Sequence, residues 1–512
     1  VQQLDRMSKI TKQDVVDWAN KYLGPESYAI IYKREGKDPD EQKIAAPKIT
    51  PIVTNRDSQS EFLSEIQTSQ VQPIEPVFVD YKKDMSQFEA QPGIDVLYKK
   101  NETNDIFTLI YVFNTGTEND PALNLAFNYL SYLGTDKMTA EEIASEMYDI
   151  ACSFYMNAGA NQSSIQITGL SENMGKAMEI VEGLIAGAKP DEAILENLKG
   201  DMLKSRADAK LNQSRCFGAL QRYLFYGGDF IRRTTLTDPA LQALTSEQLL
   251  AKIGGLMGKQ HEVLYYGPQK EAEVKSALAK HHKVAADLQP LEKKFSTLLP
   301  TDANKVVLAQ YDAKQLYYLQ FSNRGEKFDV AADPEITLYN EYFGGGMNTI
   351  VFQEMREARG LAYTAWATLA TPSNANGDYS YYAFIATQND KMQKAVEAFD
   401  DIINNMPESE KAFGIAKEAL VSRLRTERTV KDGVLWSYLR ARDLGLDAPR
   451  DKQIFEKVQS MTLDDVKAAQ QKWVKGRKYV YGILGDIQNL DLNYLKTLGP
   501  IQTVSQEEIF GY

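Results

Sequence analysis

Residues 342–366 read YFGGGMNTIVFQEMREARGLAYTAW, and this stretch decides the fold. Three consecutive glycines at 344–346 suit a turn or a close backbone approach better than the middle of a helix or strand. Residues 350–359 then have the apolar spacing of a short amphipathic helix, and Gly360 stands where a helix cap is expected. The residues that follow are extended and aromatic. The stretch therefore predicts a glycine loop, a short helix and a strand.

Length and composition bound the possible architectures. The chain has 512 residues, more than one hydrophobic core usually holds, so two or more domains are expected. A hydrophobic content of 43% and a charged content of 25% are ordinary for a soluble globular protein. The net charge of -12 argues against nucleic acid as a partner. No run of 18 apolar residues occurs, so no membrane span is predicted.

The chain begins VQQLDRM, without an initiator methionine. It is therefore expected to be a piece of a longer protein, whose missing part could carry a targeting signal. The two cysteines, Cys152 and Cys216, are too few for a disulfide framework. They are expected to be plain buried thiols.

A short pattern that resembles a helix-capping box occurs three times, at Thr11, Thr245 and Thr462. A helix-like stretch follows each time. An apolar strand is then predicted 17 residues after each threonine, near Tyr28, Glu262 and Tyr479. The chain is therefore built from repeated units.

The second and third units match over a longer distance. Gly134 pairs with Gly344 at an offset of 210, and Lys176 pairs with Lys394 at an offset of 218. The change in offset implies about eight extra residues in the last unit, expected in the loop around 373–377.

The predicted organisation is the tail of a preceding domain (1–33), an interdomain linker (34–80) and two complete homologous domains (81–288 and 292–504). The linker contains five prolines and many polar residues, which predicts an irregular strap. In each complete domain, strands and helices come in separate runs with hairpin-like strand pairs. The predicted fold class is α+β, with two mostly antiparallel sheets that each carry helices on one face.

The glycine loop followed by FQEMREARGLAY resembles the C-terminal domain of the pitrilysin/insulinase-like zinc metallopeptidases, or inverzincins. The resemblance implies four such domains in two halves around a closed chamber. On this basis the chain is the C-terminal half, which contains the third and fourth domains. The other half would be an N-terminal part of the same protein or a catalytic partner subunit.

The zinc motif of that family, H-x-x-E-H on a helix, can be sought directly. It would fall on residues 125–129, LAFNY, and in the last unit on residues 335–339, EITLY. The downstream glutamate ligand of the family would fall near Ser205. None of these stretches supplies the three protein ligands that a catalytic zinc needs. The chain is therefore expected to hold no metal and no catalytic residue, with zinc in the missing half.

The resemblance does carry over an arginine and a tyrosine seven residues apart, which here are Arg356 and Tyr363. A guanidinium offers donors to a peptide carbonyl, and a tyrosine hydroxyl can donate to a developing oxyanion. Without the resemblance, Arg356 would be a solvated helix-end cation, as Arg359 is expected to be, and Tyr363 an ordinary strand aromatic. The predicted substrate-binding residues are Arg356, Tyr363, Gly344, Gly345 and Gly346.

The three histidines carry no metal signature. His281 and His282 are adjacent and are expected at the surface, and His261 leads into a strand. The aromatic residues at 379–384 are expected to pack in a core rather than to line the chamber.

The sequence thus favours the non-zinc-binding half of a zinc endopeptidase, inactive alone, that completes the chamber and binds peptide. Two alternatives stay open: a structural or chaperone-like member of the same fold without a peptidase partner, and a regulatory peptide-binding module. An H-x-x-E-H motif upstream would support the enzyme. The family resemblance slightly favours the periplasm over the cytoplasm.

Overall fold

The computed structural model describes residues 2–26, 28–32, 36 and 60–512. The chain divides into two compact units, Val1–Gln72 and Pro73–Tyr512.

The first unit is helical in its described part. Its helices are α1 (Gln2–Met7), α2 (Lys12–Tyr22) and α3 (Glu61–Thr68). The capping box predicted at Thr11 is confirmed, since Thr11 and Asp14 bond each other's backbone N–H. The strand predicted near Tyr28 is absent from residues 28–32, because no described segment of this unit forms a strand with which it could pair.

The predicted linker lies largely outside the described residues, which omit 33–35 and 37–59. The described part of the linker, from residue 60 onward, is not an irregular strap throughout, because it contains a helix. Residues 61–68, EFLSEIQT, contain no proline or glycine and form the helix α3.

Two six-stranded sheets occur in the described part of the second unit. The strands of the first sheet are β1 (Ser86–Gln91), β2 (Ile94–Lys100), β3 (Ile106–Phe113), β4 (Cys152–Ala158), β5 (Ser163–Leu170) and β6 (His261–Gly267). The strands of the second sheet are β7 (Lys305–Gln310), β8 (Gln315–Lys327), β9 (Ala362–Ala370), β10 (Asp378–Gln388), β11 (Val480–Gly485) and β12 (Ile501–Val504).

Helices connect these strands. Those that follow the strands of the first sheet are α4 (Leu123–Leu130), α5 (Ala140–Asp149), α6 (Met174–Gly187), α7 (Glu192–Lys210), α8 (Gln213–Thr234), α9 (Asp238–Ala243), α10 (Ser246–Met257) and α11 (Glu271–His281). Those of the second sheet are α12 (Asp333–Phe343), α13 (Ile350–Phe352), α14 (Met392–Asn404), α15 (Glu410–Thr426), α16 (Gly433–Asp443), α17 (Arg450–Val458), α18 (Leu463–Ala469), α19 (Leu492–Leu498) and α20 (Gln506–Phe510).

The two sheets have matching topologies in five of their six strands. Their strand orders are β1-β2-β6-β3-β5-β4 and β12-β7-β11-β8-β10-β9. In both sheets a central pair is parallel (β2 with β6, β7 with β11) and the hairpins are antiparallel. The first edge strands differ, since β1 is antiparallel to β2 whereas β12 is parallel to β7. The predicted α+β class is therefore confirmed, and β4 and β9 lie at equivalent edges.

The extra residues of the last unit are spread over a hairpin rather than confined to its loop. The β9 and β10 strands have 9 and 11 residues, whereas β4 and β5 have 7 and 8. The loop at 371–377 is also longer than its counterpart at 159–162. The structure therefore corrects the position of the insertion, because most of the extra residues lengthen the strands.

One face of each sheet packs on the helices of its own repeat and forms the two largest cores. The two cysteines, Cys152 and Cys216, are buried free thiols, as expected. Tyr379 and Tyr381 lie fully buried in the second core, as predicted for the aromatic cluster.

The opposite face of each sheet packs on a helix from the other repeat. Leu220 and Leu224 of α8 pack against the second sheet at Phe321 and Phe384. Leu435 and Leu439 of α16, among others, pack against the first sheet. The two repeats therefore complete each other's cores, and this exchange fixes their relative position.

Candidate functional site

The glycine loop begins where α12 ends. The Gly344 N–H donates to the Asn340 carbonyl at 2.9 Å, and the Gly344 carbonyl accepts from the Ala367 N–H at 3.2 Å. A Cβ on Gly344 would lie 2.5 Å from the Asn340 oxygen and 2.8 Å from the Ala367 oxygen. Glycine is therefore required at 344 by the close approach of two backbone segments.

The next two glycines differ from the first. Gly345 and Gly346 are exposed, and a Cβ on either would make only ordinary contacts, at 3.5 and 3.6 Å. Left-handed backbone conformations occur at nine described glycines, and the triplet at 344–346 is not among them. Gly345 and Gly346 are thus not demanded by the fold, and the Gly346 carbonyl accepts from the N–H and the hydroxyl of Thr349 at 3.0 and 2.7 Å.

The predicted short helix forms, but its second part is wider than an α-helix. α13 continues directly into a π-helical segment, Gln353–Ala358. Val351 and Met355 point into the core, as their spacing predicted. Gly360 ends the helix with a left-handed φ of 54°, which explains the glycine there. Single-turn π segments of this kind occur frequently at functional sites.

Tyr363 lies at a β-bulge in the edge strand β9. Ala362 pairs with Thr387 and Thr364 pairs with Ala386, so Tyr363 is the extra residue between two consecutive pairs. Its side chain is 77% exposed. A bulge re-aims a side chain, and here it presents a tyrosine to solvent at the start of the strand.

The structure brings Arg356 and Tyr363 together. The Arg356 guanidinium lies over the Tyr363 ring, 4.4 Å from its centroid, and 4.9 Å from the centroid of Phe352. Its nearest carboxylate oxygen is on Glu357, 3.5 Å from Nε. Cation–π contacts with two rings hold the guanidinium in place without using its N–H donors. Apart from Nε, which faces Glu357, these donors bond no group among the described residues and stay available to a ligand.

Arg359 lies at the helix end, as the sequence predicted, but it is paired with carboxylates instead of being solvated. It bonds Asp401 at 2.6 Å and Glu354 at 3.3 Å. The hydrogen bond to Asp401 raises the pKa of Arg359. Its donors are therefore used inside the fold, in contrast to those of Arg356.

The outer edge of β9 is closed beyond its first residues. The Leu369 N–H donates to Asn340 Oδ1 at 2.9 Å, and Asn340 Nδ2 donates to the Leu369 carbonyl at 2.9 Å. The Ala367 N–H donates to the Gly344 carbonyl. The end of α12 and the glycine loop thus cap the edge, and the part near Tyr363 stays accessible.

The positions where a zinc motif would fall do not fit a metal. On α4, Leu125 and Tyr129 are buried in the core, and the Tyr129 hydroxyl donates to Ser246 Oγ at 2.7 Å. On α12, Glu335 accepts hydrogen bonds from the indole of Trp473 and the ammonium of Lys472. Within the described ranges, no group of three or more His, Cys, Asp and Glu side chains is arranged to hold a metal ion.

The first repeat has the scaffold of the site without its side chains. At the offset of 210, Glu146 takes the position of Arg356 and Ser153 that of Tyr363. Glu146 forms an ion pair with Lys176 at 2.6 Å. The arginine–tyrosine pair therefore belongs to the second repeat alone.

The surface position predicted for His282 was wrong, whereas His261 begins strand β6, as predicted. His261 and His282 are both buried, and their Nε2 atoms lie 2.8 Å apart. His282 Nδ1 lies 2.5 Å from Glu182 Oε1, and His261 Nδ1 bonds the Lys259 carbonyl at 2.8 Å. The histidines are 21 residues apart and lie in different elements, so only the tertiary structure could reveal this hydrogen-bonded chain.

Within the described part of the chain, no helix is both long and apolar enough to cross a membrane.

Residues 260–420 match the sequence profile of the peptidase M16 inactive domain. The chain is 22% identical over 266 residues to an uncharacterized zinc protease of Streptomyces coelicolor, an alignment that covers 48% of this chain and 56% of that protein. The chain thus matches about half the length of this curated relative.

Solved structures share the fold. The peptidase M16 inactive domain from Pseudomonas fluorescens superposes with a TM-score of 0.62 at 18% identity, over 78% of this chain and 98% of that one. The periplasmic protease PqqL from Escherichia coli gives a TM-score of 0.59 at 13% identity, over 94% of this chain and 52% of that one. The resemblance that the glycine-loop motif indicated is confirmed: residues 260–420 match the inactive domain of the M16 peptidases, and the chain is similar to a curated zinc protease and to solved M16 structures.

Proposed function

We propose that this chain is the non-catalytic half of a zinc-dependent endopeptidase, in which Arg356 and Tyr363 bind the peptide substrate. A separate catalytic half would hold the zinc and close the chamber. The shares of the two chains that superpose support this arrangement, since almost the whole of this chain matches about half of a periplasmic protease. The periplasm is the location that this likeness favours.

The observation that carries the proposal is the presentation of Tyr363. A tyrosine that is 77% exposed and stacked on a guanidinium contributes little to the core, yet a bulge holds it outward. Among the described residues, no group hydrogen-bonds its hydroxyl. The hydroxyl and the guanidinium together offer donors to a peptide carbonyl, or to the oxyanion that forms on its hydrolysis.

The glycine loop has two roles in this proposal. Gly345 and Gly346 are exposed and have no side chain, so an extended peptide can approach the loop closely beside the short helix. Gly344 uses both its N–H and its carbonyl inside the fold, and so shapes the loop.

The test is the substitution Tyr363→Phe in the enzyme assembled from both halves. Removal of one oxyanion donor is expected to lower kcat on the order of 10²-fold to 10³-fold, with the zinc content unchanged. Cleavage of a fluorogenic peptide and metal analysis measure the two quantities. Tyr132→Phe is the matched control, since Tyr132 is also exposed, at 56%, and lies in the first repeat.

Unchanged turnover in the Tyr363→Phe enzyme would contradict the role of the tyrosine. Peptide binding without any cleavage, with both halves present, would favour a regulatory peptide-binding module. The absence of both would favour a structural or chaperone-like protein.

A further inference from the structure

The equivalent edges of the two sheets differ in one respect that bears on binding. In the second sheet, the amide of Asn340 and the carbonyl of Gly344 cap the outer edge of β9. In the first sheet, the offset of 210 places Leu130 at the position of Asn340. Leu130 is fully buried and has no polar side-chain atom, so it cannot cap an edge.

The rest of the cap is also missing from the first sheet. Gly134 corresponds to Gly344, but its carbonyl accepts from the Lys189 N–H at 2.8 Å instead of from the edge strand. In the part of the chain that the structure describes, no group hydrogen-bonds β4 from the side opposite β5. Every second residue of β4 therefore directs its N–H and C=O groups away from the sheet.

The strand itself lacks the usual devices that protect an edge. Its sequence, CSFYMNA, contains no proline and no charge, and its register with β5 is regular over all seven residues. Natural proteins blunt exposed edges with lysine, proline, bulges or a covering segment. β9 has both a bulge and a cap, whereas β4 has neither.

The surroundings of β4 indicate the chemistry of its partner. Tyr155 on the strand is 64% exposed, and Tyr148 on the neighbouring helix α5 is 83% exposed. α5 carries four carboxylates, at Glu141, Glu142, Glu146 and Asp149, and no lysine or arginine. Glu146 is paired with Lys176 and Glu142 caps the helix, which leaves Glu141 and Asp149 to attract a basic group. Pairing of β4 with the β4 of a second copy would bring two acidic helices together, which like-charge repulsion opposes.

We propose that β4 is a strand-addition site for an extended polypeptide segment that carries lysine or arginine. The backbone row of β4 supplies the hydrogen bonds, the exposed tyrosines contact the side chains, and the carboxylates of α5 attract the basic groups. This inference rests on the proposed function in one respect, since the segment would be part of the peptide substrate. It places a second contact for the substrate in the repeat that lacks the arginine–tyrosine pair.

The experiment uses the full chain, without the catalytic half or zinc. A fluorescent peptide of alternating lysine and threonine, long enough to span β4, is titrated with the chain and its anisotropy is measured. Binding is expected, with binding on the order of tenfold weaker for Tyr155→Lys, which places a like charge at the edge. Tyr155→Thr removes the ring but keeps a neutral, strand-favouring residue, so it is expected to bind less tightly than wild type and more tightly than Tyr155→Lys.

Two controls locate the contact. Thr368→Lys adds the same charge to the capped part of β9, between Ala367 and Leu369, and should leave the affinity unchanged. Amide hydrogen exchange with and without peptide should show protection within residues 152–158 and none within the capped residues 367–370. A peptide that is N-methylated at alternate residues keeps the N–H groups of its other edge free. It should still bind, with that free edge facing β4.

Three results would overturn the inference. One is equal affinity for wild type and Tyr155→Lys, with both proteins folded by circular dichroism. Another is equal affinity for an alternating glutamate–threonine peptide. The third is a dimer that Tyr155→Lys dissociates, which would assign the edge to a second copy. Because this assay involves no cleavage, its failure is distinct from a failure of the role proposed for Tyr363.

Discussion

At the scale of single residues, Arg356 and Tyr363 gain meaning only as a pair. The Arg356 guanidinium lies over two aromatic rings and has one carboxylate nearby, on Glu357 at 3.5 Å from Nε. Arg359, three residues further on, bonds two carboxylates, on Asp401 at 2.6 Å and Glu354 at 3.3 Å. The terminal nitrogens of Arg356 beside an exposed tyrosine are therefore suited to a ligand that brings oxygen acceptors.

Gly344 gives a prediction about the loop that supports this pair. Gly344→Ala is expected to lower the free energy of unfolding by roughly 1–3 kcal/mol, because its Cβ would collide with the carbonyls of Asn340 and Ala367. Gly345→Ala is the matched control, since its Cβ would meet only the Trp366 Cβ at 3.5 Å. Urea unfolding of the two variants measures the difference. Equal stability would show that the loop moves without cost.

The buried histidines predict how stability depends on pH. The Lys259 carbonyl can only accept, so His261 Nδ1 carries a proton and His261 Nε2 accepts from His282 Nε2. Burial, together with His282, lowers the pKa of His261 from 6.5 to about 4. Glu182 and the buried Tyr111 are the other titratable groups that face the histidines.

Since the folded-state pKa lies below that of the unfolded chain, the unfolded chain binds an additional proton between about pH 6.5 and pH 4. Stability is therefore expected to be present above pH 6.5 and to fall by roughly 1–3 kcal/mol as the pH drops to 4. Urea midpoints measured across this range test the slope. His261→Gln should flatten it, and an unchanged slope in that variant would assign the effect to other groups.

At the scale of elements, local sequence patterns were sufficient to predict those helices and strands whose structure depends on their own residues. The capped helices at Thr245 and Thr462 form as predicted, because each cap is a local exchange of hydrogen bonds. Strand β3 (Ile106–Phe113) is a β-branched and aromatic run that is buried on both faces, so its own composition indicates a strand. The helix in the decisive stretch is also present.

Features that depend on contacts between residues far apart in the chain could not be predicted from the sequence. The π-helical turn, the bulge at Tyr363 and the cap that Asn340 places on β9 all arise from tertiary contacts. The segment at 28–32 has strand-like composition but no strand to pair with in its described unit. The proximity of Arg356 and Tyr363 was foreseen through family resemblance, whereas the stacking that holds them was not.

At the scale of the whole molecule, the exchange of α8 and α16 joins the two repeats into one body. Each sheet has one face on its own helices and the other on a helix of its neighbour. This arrangement fixes the positions of β4 and of the Arg356–Tyr363 pair relative to each other. A substrate held at both places would therefore meet a rigid surface, with the zinc supplied from outside this chain.

The central claim is that this chain contributes substrate binding, but no metal chemistry, to a peptidase formed with a catalytic half. The most direct test combines the chain with a partner half that carries H-x-x-E-H and follows cleavage of a fluorogenic peptide, alongside zinc analysis of each half. We predict no cleavage and no stoichiometric zinc for the chain alone, zinc in the partner half, and cleavage only when both are present. Cleavage by the chain alone, or one zinc bound per chain, would contradict the claim.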